Sequence, residues 1–479
     1  MGRFSLNTVL CNSLKSSVNM KKIVVLLLII NFQALFAQEF LGDHHLELKK
    51  NSEYHQSLTA ADSANSQMTV FVSDKDRITA LKLNGGLFFK DSLSAPRPDS
   101  NYEIMAGFSF NNKQSSVYWV SGDYTKIQSL YFDFETREVI DYNFDLPFKN
   151  ETIVSTYSEN NSFYIVTLLS SSDKLKFYIF NKDKYTARII DFSKYDFTSI
   201  QNKKLSFNAL LQLFPLQKIE ANAYNNLEAG SNPVKMYVLK NEVILTLDYN
   251  STFTQMFSIN TTTFTVQQTM VPQVFLKNAA KANSYYHKNK LYQIKFNEEE
   301  LSLSASDLTT GEVIKTYTAN NTDSISFANS PLFSQSGNQR PKPFKDTKRF
   351  LRRLADSDAG LSVYQMPYNL LISAGGIRTY VPAGNMILGA ALSGYGGGGL
   401  MDDEQTQRIY FDSVFDDDFN HKNYSPTMLA VDHIGQFLSG KKNITLQTVT
   451  PFHDFYVLGY YDAKAKKYVL QRFRDDVIF

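Results

Sequence analysis

Seven carboxylates crowd into residues 402–418, directly behind four consecutive glycines at 396–399, and these residue types at this spacing suit chemistry better than any other stretch. Glycine tolerates backbone angles closed to other residues, so such a run admits close approach by a ligand or a second backbone. Asp402, Asp403, Asp416 and Asp418 offer the hard oxygen ligands that a structural Ca2+ takes. The order of an EF-hand loop, with its bidentate terminal Glu, is absent. Glu404 with Asp412 or Asp417 supplies the carboxylate pair that glycoside cleavage requires, and the distance between carboxyls decides whether that chemistry runs. The alternative is a solvated acidic loop with no chemistry of its own.

A second charged group is basic. Arg349, Arg352 and Arg353 follow Asp346 at helical spacing, with Phe350, Leu351 and Leu354 between them on one face. Asp346 is the expected N-cap. Those arginines suit docking of an anionic glycan or an acidic partner; otherwise their stems cover an apolar stripe while their heads stay wet.

Other candidates fail on chemistry. His44, His45 and His55 lack the spacing of zinc ligands. Residues 435–442 imitate a phosphate-binding loop, but Lys442 stands where a hydroxyl must hold Mg2+. Ser393 is not framed by a nucleophile elbow. No motif fixes an activity or a resident cofactor.

The N-terminus indicates export. Lys21 and Lys22 precede an unbroken apolar run over residues 23–30, and Ala37 precedes a polar start. That is the layout of a signal peptide over residues 1–37, with Met20 as a second candidate start. The run is about half the ~20 residues that a membrane span needs. Removing it takes away four basic residues and the single cysteine, Cys11, moving the formal charge from +2 to −2. The mature chain then has no disulfide and no thiolate chemistry. Near-neutral charge also gives no support for nucleic-acid binding.

The elements that must position these groups are strands. Runs at 117–120, 163–167, 174–180, 243–247, 291–295 and 455–459 are β-branched and aromatic and of strand length. A turn phrase recurs between them: Asp or Asn, Thr three residues on, Val three further, at Asp133-Thr136-Val139, Asn260-Thr263-Val266 and Asp307-Thr310-Val313. Decayed copies start at Asn84, Asn181 and Asp462. The steps from 84 to 133 to 181, and from 260 to 307, are all close to 47 residues. Short Asp, Asn and Thr side chains bond nearby backbone N–H groups, which suits hairpin connections.

A period of that length built from short strands predicts radially repeated four-stranded modules. Residues 68–319 and 455–473 resemble a generic β-propeller, which implies an all-β fold of six to eight blades, seven by the count favoured here. A two-sheet sandwich or a barrel is the alternative. Residues 371–380, with Gly375 and Gly376, echo 80–87 and are read as another copy. Val469 to Phe473 is expected to pair with a strand of the first blade. Departures from the repeat near 200–216, 321–360 and 394–425 read as insertions in a single domain, with helices expected within 202–216, around 346–354 and over 432–438.

Loops on a rigid scaffold carry function. The expectation is an exported protein of the cell envelope (periplasmic, outer-surface or extracellular) that binds another envelope protein or a glycan. A polysaccharide-active enzyme using Glu404, Asp412 and Asp417, or a structural surface component, are the competing readings. The Asn-, Lys-, Ser- and Tyr-rich composition resembles that of Gram-negative bacterial exported proteins.

Overall fold

The computed structural model describes residues 38–476 except 63–64, 113, 147, 160, 200–202 and 380–405. Residues 1–37, with the expected signal peptide, lie outside that range. The described chain divides into two compact units. One comprises residues 49–84 and 90–426; the other comprises 38–48, 85–89 and 427–476.

Among the described residues, seven sheets of four or five strands and one of two strands succeed one another. They are the blades of an all-β propeller fold, numbered here 1 to 7 along the chain. Blades 1, 2, 3 and 5 are plain four-stranded meanders over residues 56–96, 104–145, 151–191 and 281–320. Burial follows strand position. In blade 3 the second strand, Ser162–Leu169, is buried at all but one residue, while the fourth, Lys184–Asp191, buries only Ile190. The apolar cores of the larger unit lie between successive blades. Phe71, Trp119 and Phe132 pack between blades 1 and 2, and Tyr118, Phe163 and Phe180 between blades 2 and 3. Each large side chain buried there contributes about 1.5–3 kcal/mol.

The turn phrase acts as its chemistry predicts. Asp133, Asn260, Asp307 and Asp462 each accept, through Oδ1, the backbone N–H groups two and three residues on, at 2.7–3.1 Å. The fifth residue then turns to positive φ: 65° at Arg137, 58° at Phe264, 75° at Gly311 and 53° at Lys466. Only one of these is glycine. The shortened turn at Asn181 places Lys182 at 50°. These side chains reach sideways. Arg137 bonds Asp91 of blade 1 at 2.7 Å, Lys182 lies 3.9 Å over the Tyr131 ring of blade 2, and Phe264 meets Phe177 of blade 3 edge-on. Lys466 pairs with Glu47 at 2.7 Å.

Blades 4, 6 and 7 depart from the simple repeat. The 79-residue step from Asn181 to Asn260 holds a single blade. Before it come a two-stranded sheet, helix α1 (Phe207–Leu213) and helix α2 (Leu227–Ser231), and Gln217–Ile219 adds a parallel edge strand. Blade 6 has the strand order Asp358–Gln365, Leu370–Thr379, Thr406–Phe415, Phe333–Ser336, Lys342–Pro343, so its outer strands precede its inner ones in the chain. Between them lies helix α3 (Thr347–Ala355). Residues 406–415, within the segment read as an insertion, are thus a central strand, with Ile409, Phe411, Val414 and Phe415 fully buried. The echo at 371–380 is also misplaced. Leu370–Thr379 is the second strand of its sheet, whereas residues 80–83 belong to a third strand. Gly375 and Gly376 sit inside that strand because a Cβ would collide with the carbonyl of Ile409 or with Asp358.

Blade 7 lies in the smaller unit. Its C-terminal strands Ile444–Phe452, Phe455–Asp462 and Lys467–Phe473 are completed by Gln38–His45. The last strand therefore pairs with the chain's first described strand, with Phe473 opposite Gln38, rather than with a strand of blade 1. Asp462 consequently turns a second-to-third-strand hairpin, where the other copies of the phrase join third to fourth. Helix α4 (Ala430–Ser439) covers the expected 432–438 and includes Gly435, which closes the phosphate-loop reading.

Candidate functional site

Helix α3 forms where the sequence places it. The Asp346 carboxylate accepts the Arg349 N–H at 2.8 Å, capping the helix, and Phe350, Leu351 and Leu354 are all fully buried. One face anchors the helix in the core, so the opposite face presents its arginines on a fixed frame. Phe350 meets Phe411 of the central strand, and Phe344 stands edge-on to Phe350 at 5.6 Å.

A cavity of about 500 Å³ opens beside this helix. Its cationic wall is Lys342, Arg349, Arg352 and Arg353, its apolar floor is Pro343 and Phe344, and Ser334 and Asp356 complete it. Arg353 is fixed by Gln407, whose Oε1 accepts from Nε at 3.1 Å and Nη2 at 2.7 Å. Arg349 touches Asp346 at 3.6 Å, and Asp356 meets Arg378 at 3.8 Å, both at the surface. The side chains of Arg352 and Lys342 have no hydrogen-bond or ion-pair partner among the described residues and are exposed. The arrangement offers planar guanidinium donors, which bind carboxylate or phosphate oxygens in pairs.

The acidic candidates divide. Asp402, Asp403 and Glu404 lie outside the described residues, so no separation from Asp412 follows. The Asp412 carboxylate accepts from Ser373 Oγ at 2.6 Å, while its backbone N–H is bonded by Ser330 Oγ, so it stitches blade 6 together. Asp416 closes a turn by accepting from Asp418 N–H at 3.1 Å and Asn420 N–H at 2.8 Å, and it pairs with Lys422 at 2.8 Å. Partial burial pushes that carboxyl up, but Lys422 and Asn420 outweigh it and hold the group below the usual range. Asp417 and Asp418 are exposed, and the Asp417 carbonyl accepts from Lys290 of blade 5. Phe419 is fully buried against Tyr292 and Phe415. Residues 416–420 are therefore a packed turn rather than a projecting loop. No group of three or more His, Cys, Asp or Glu side chains among the described residues is arranged to hold a metal. His44 stacks on Phe89, and His55 bonds the Lys49 carbonyl.

One polar cluster had no signal in the sequence. Lys235, on a strand of blade 4, has a fully buried ammonium held by Asp248 at 3.0 Å, Asn283 Oδ1 at 2.6 Å and the Asn232 carbonyl at 2.7 Å. Asp248 in turn accepts from Ser284 N–H, Ser284 Oγ and Thr254 Oγ1. Burial pulls the Lys235 ammonium below the usual lysine value, and Asp248 opposes that pull. Every donor of the ammonium is used, so the cluster joins blades 4 and 5 and offers nothing to a ligand.

The fold and the cavity together define an all-β propeller-type protein with a cationic, apolar-floored recess beside α3. No known protein family and no curated protein matches the chain. Among solved structures, it is similar to the β-propeller domain of Nup133 from Vanderwaltozyma polyspora, with 12% identity over 92% of this chain and 97% of that one, at a TM-score of 0.35. It is also similar to the WD40 domain of SCAP from fission yeast, with 11% identity over 91% and 97% of the two chains, at a TM-score of 0.29. A third is the dihydro-heme d1 dehydrogenase NirN, at 9% identity over 92% and 79%, with a TM-score of 0.27. Similarity at this level transfers neither ligand nor activity. Among the described residues no helix is long and apolar enough to cross a membrane.

Proposed function

We propose that this chain is an exported protein of a Gram-negative cell envelope that acts by binding a partner through the α3 face of blade 6. The observation that carries this reading is a pair of cations without a side-chain partner among the described residues, Arg352 on a helix whose other face is locked in the core and Lys342 on the edge strand beside it, both lining a recess with an apolar floor. A charged group fixed without a counter-charge on a rigid element is a ready contact for an anion, and scaffold loops are where binding concentrates. Export rests on Lys21, Lys22 and the apolar run that follows them.

Affinity capture from the envelope of the source cells tests it, using the native chain beside a variant with Arg349, Arg352 and Arg353 all changed to Glu. The expected result is a partner retained by the native chain and lost by the charge-reversed one, both remaining folded. Retention by both would remove α3 as the contact surface. Amino-terminal sequencing of the protein recovered from the envelope should read from Gln38, and an intact residue 1 would refute processing.

A further inference from the structure

Resting on that binding reading, we infer that the cavity beside α3 recognises an acidic peptide segment carrying an apolar side chain between its carboxylates, and that it does so through side chains alone. Three observations lead there. Arg349, Arg352 and Arg353 stand at helical spacings of three and four, so their heads share one side of α3, and the side chains of Arg352 and Lys342 have no partner among the described residues. Pro343 and Phe344 form a floor with no donor or acceptor side chain. The neutral polar lining is Ser334 alone, whose Oγ already accepts from Gln407 at 3.0 Å. Arginine and lysine donate but cannot accept, so the hydroxyl protons of a neutral glycan would meet only Ser334 and the ion-paired Asp356 in this lining, which costs affinity. A peptide with an apolar residue flanked by Glu or Asp satisfies both wall and floor.

The sheet edge excludes the other common mode of peptide capture. Lys342–Pro343 is the outermost strand of blade 6, and an exposed edge ordinarily invites strand addition. Phe344 donates its N–H inward to the Leu332 carbonyl at 2.7 Å, so by strand alternation the outward-facing positions are 341 and 343. Both are prolines and lack an N–H. A partner finds no backbone donors there and must read the cationic wall instead.

The test is fluorescence anisotropy with the native chain and a labelled twelve-residue peptide alternating Glu with Leu and Phe, at low salt. A peptide with Gln at every Glu, a soluble oligogalacturonate and inorganic phosphate serve as competitors. Saturable binding is expected, weakened about tenfold by Arg352→Ala, with the melting temperature unchanged. The Gln peptide should not compete. No binding of the Glu peptide, equal binding by Arg352→Ala, or equal competition by oligogalacturonate or phosphate at matched charge would overturn the assignment. If the envelope partner is still captured and lost on charge reversal while the peptide fails, only the peptide class falls. Arg352→Lys separates charge from planar geometry: it should recover less than the full affinity if paired guanidinium bonds carry recognition.

Discussion

Two sets of cations in the same unit have opposite surroundings. The Lys235 ammonium is sealed in protein and answered by a carboxylate, an amide oxygen and a carbonyl, whereas the exposed side chains of Arg352 and Lys342 have no partner among the described residues. Burial makes the first a structural commitment, because a desolvated charge without its counter-charge is expensive. Exposure makes the second nearly free to the fold and available to an anion. Charge alone therefore says little about function; the state of its partners says more.

The comparison breaks most sharply at Asp248. Asp248→Ala leaves Lys235 buried and uncompensated and should cost about 3–5 kcal/mol, read as a lowered urea midpoint. The double variant Lys235→Met/Asp248→Leu, which removes both charges together, should cost distinctly less than Asp248→Ala; an equal loss would show that packing rather than charge governs the cluster. Titration is the next largest effect. Burial lowers the His287 imidazole to about 4, and its ring faces the Gln365 amide with Lys288 and Lys290 nearby. Its folded value lies below the unfolded 6.5, so the unfolded chain binds the extra proton between these limits. Stability is full above pH 6.5 and should fall by up to about 3 kcal/mol as pH drops towards 4, and His287→Gln should flatten that slope. Asp346→Ala removes the α3 cap and should cost about 1 kcal/mol. Arg352→Ala should change stability by no more than about 0.5 kcal/mol, since the exposed head has no partner to lose. A larger loss would place Arg352 with Lys235 as a structural cation.

These contrasts also mark what the sequence could convey. Asp346, Phe350, Leu351 and Leu354 are legible because cap chemistry and helical spacing are local, and the turn phrase is legible because Asp and Thr bond within their own hairpin. Partners far apart in sequence leave no such trace. Nothing near Lys235 predicts that Asn283 will meet its ammonium, for a lysine in a strand reads as an outward polar residue. The pairing of Gln38–His45 with Lys467–Phe473, and an outer blade strand that precedes its inner ones, are likewise decided by closure of distant segments. The cavity was half legible: its arginines were visible, but its floor depends on Pro343 and Phe344 folding back beside α3.

The left-handed residues of the hairpins have a consequence for how the blades of the larger unit unfold. Holding Arg137, Lys182 and Phe264 at positive φ costs about 1 kcal/mol each, a penalty that glycine would avoid. Each of them instead grips the preceding blade, so local strain is exchanged for coupling between neighbours, and blades 1 to 4 should lose amide protection together in native-state hydrogen exchange. Gly311 of blade 5 has no side chain to grip with. At that junction Lys235, Asp248, Asn283 and Ser284 form the link, a fastener set in the interior rather than at the hairpin.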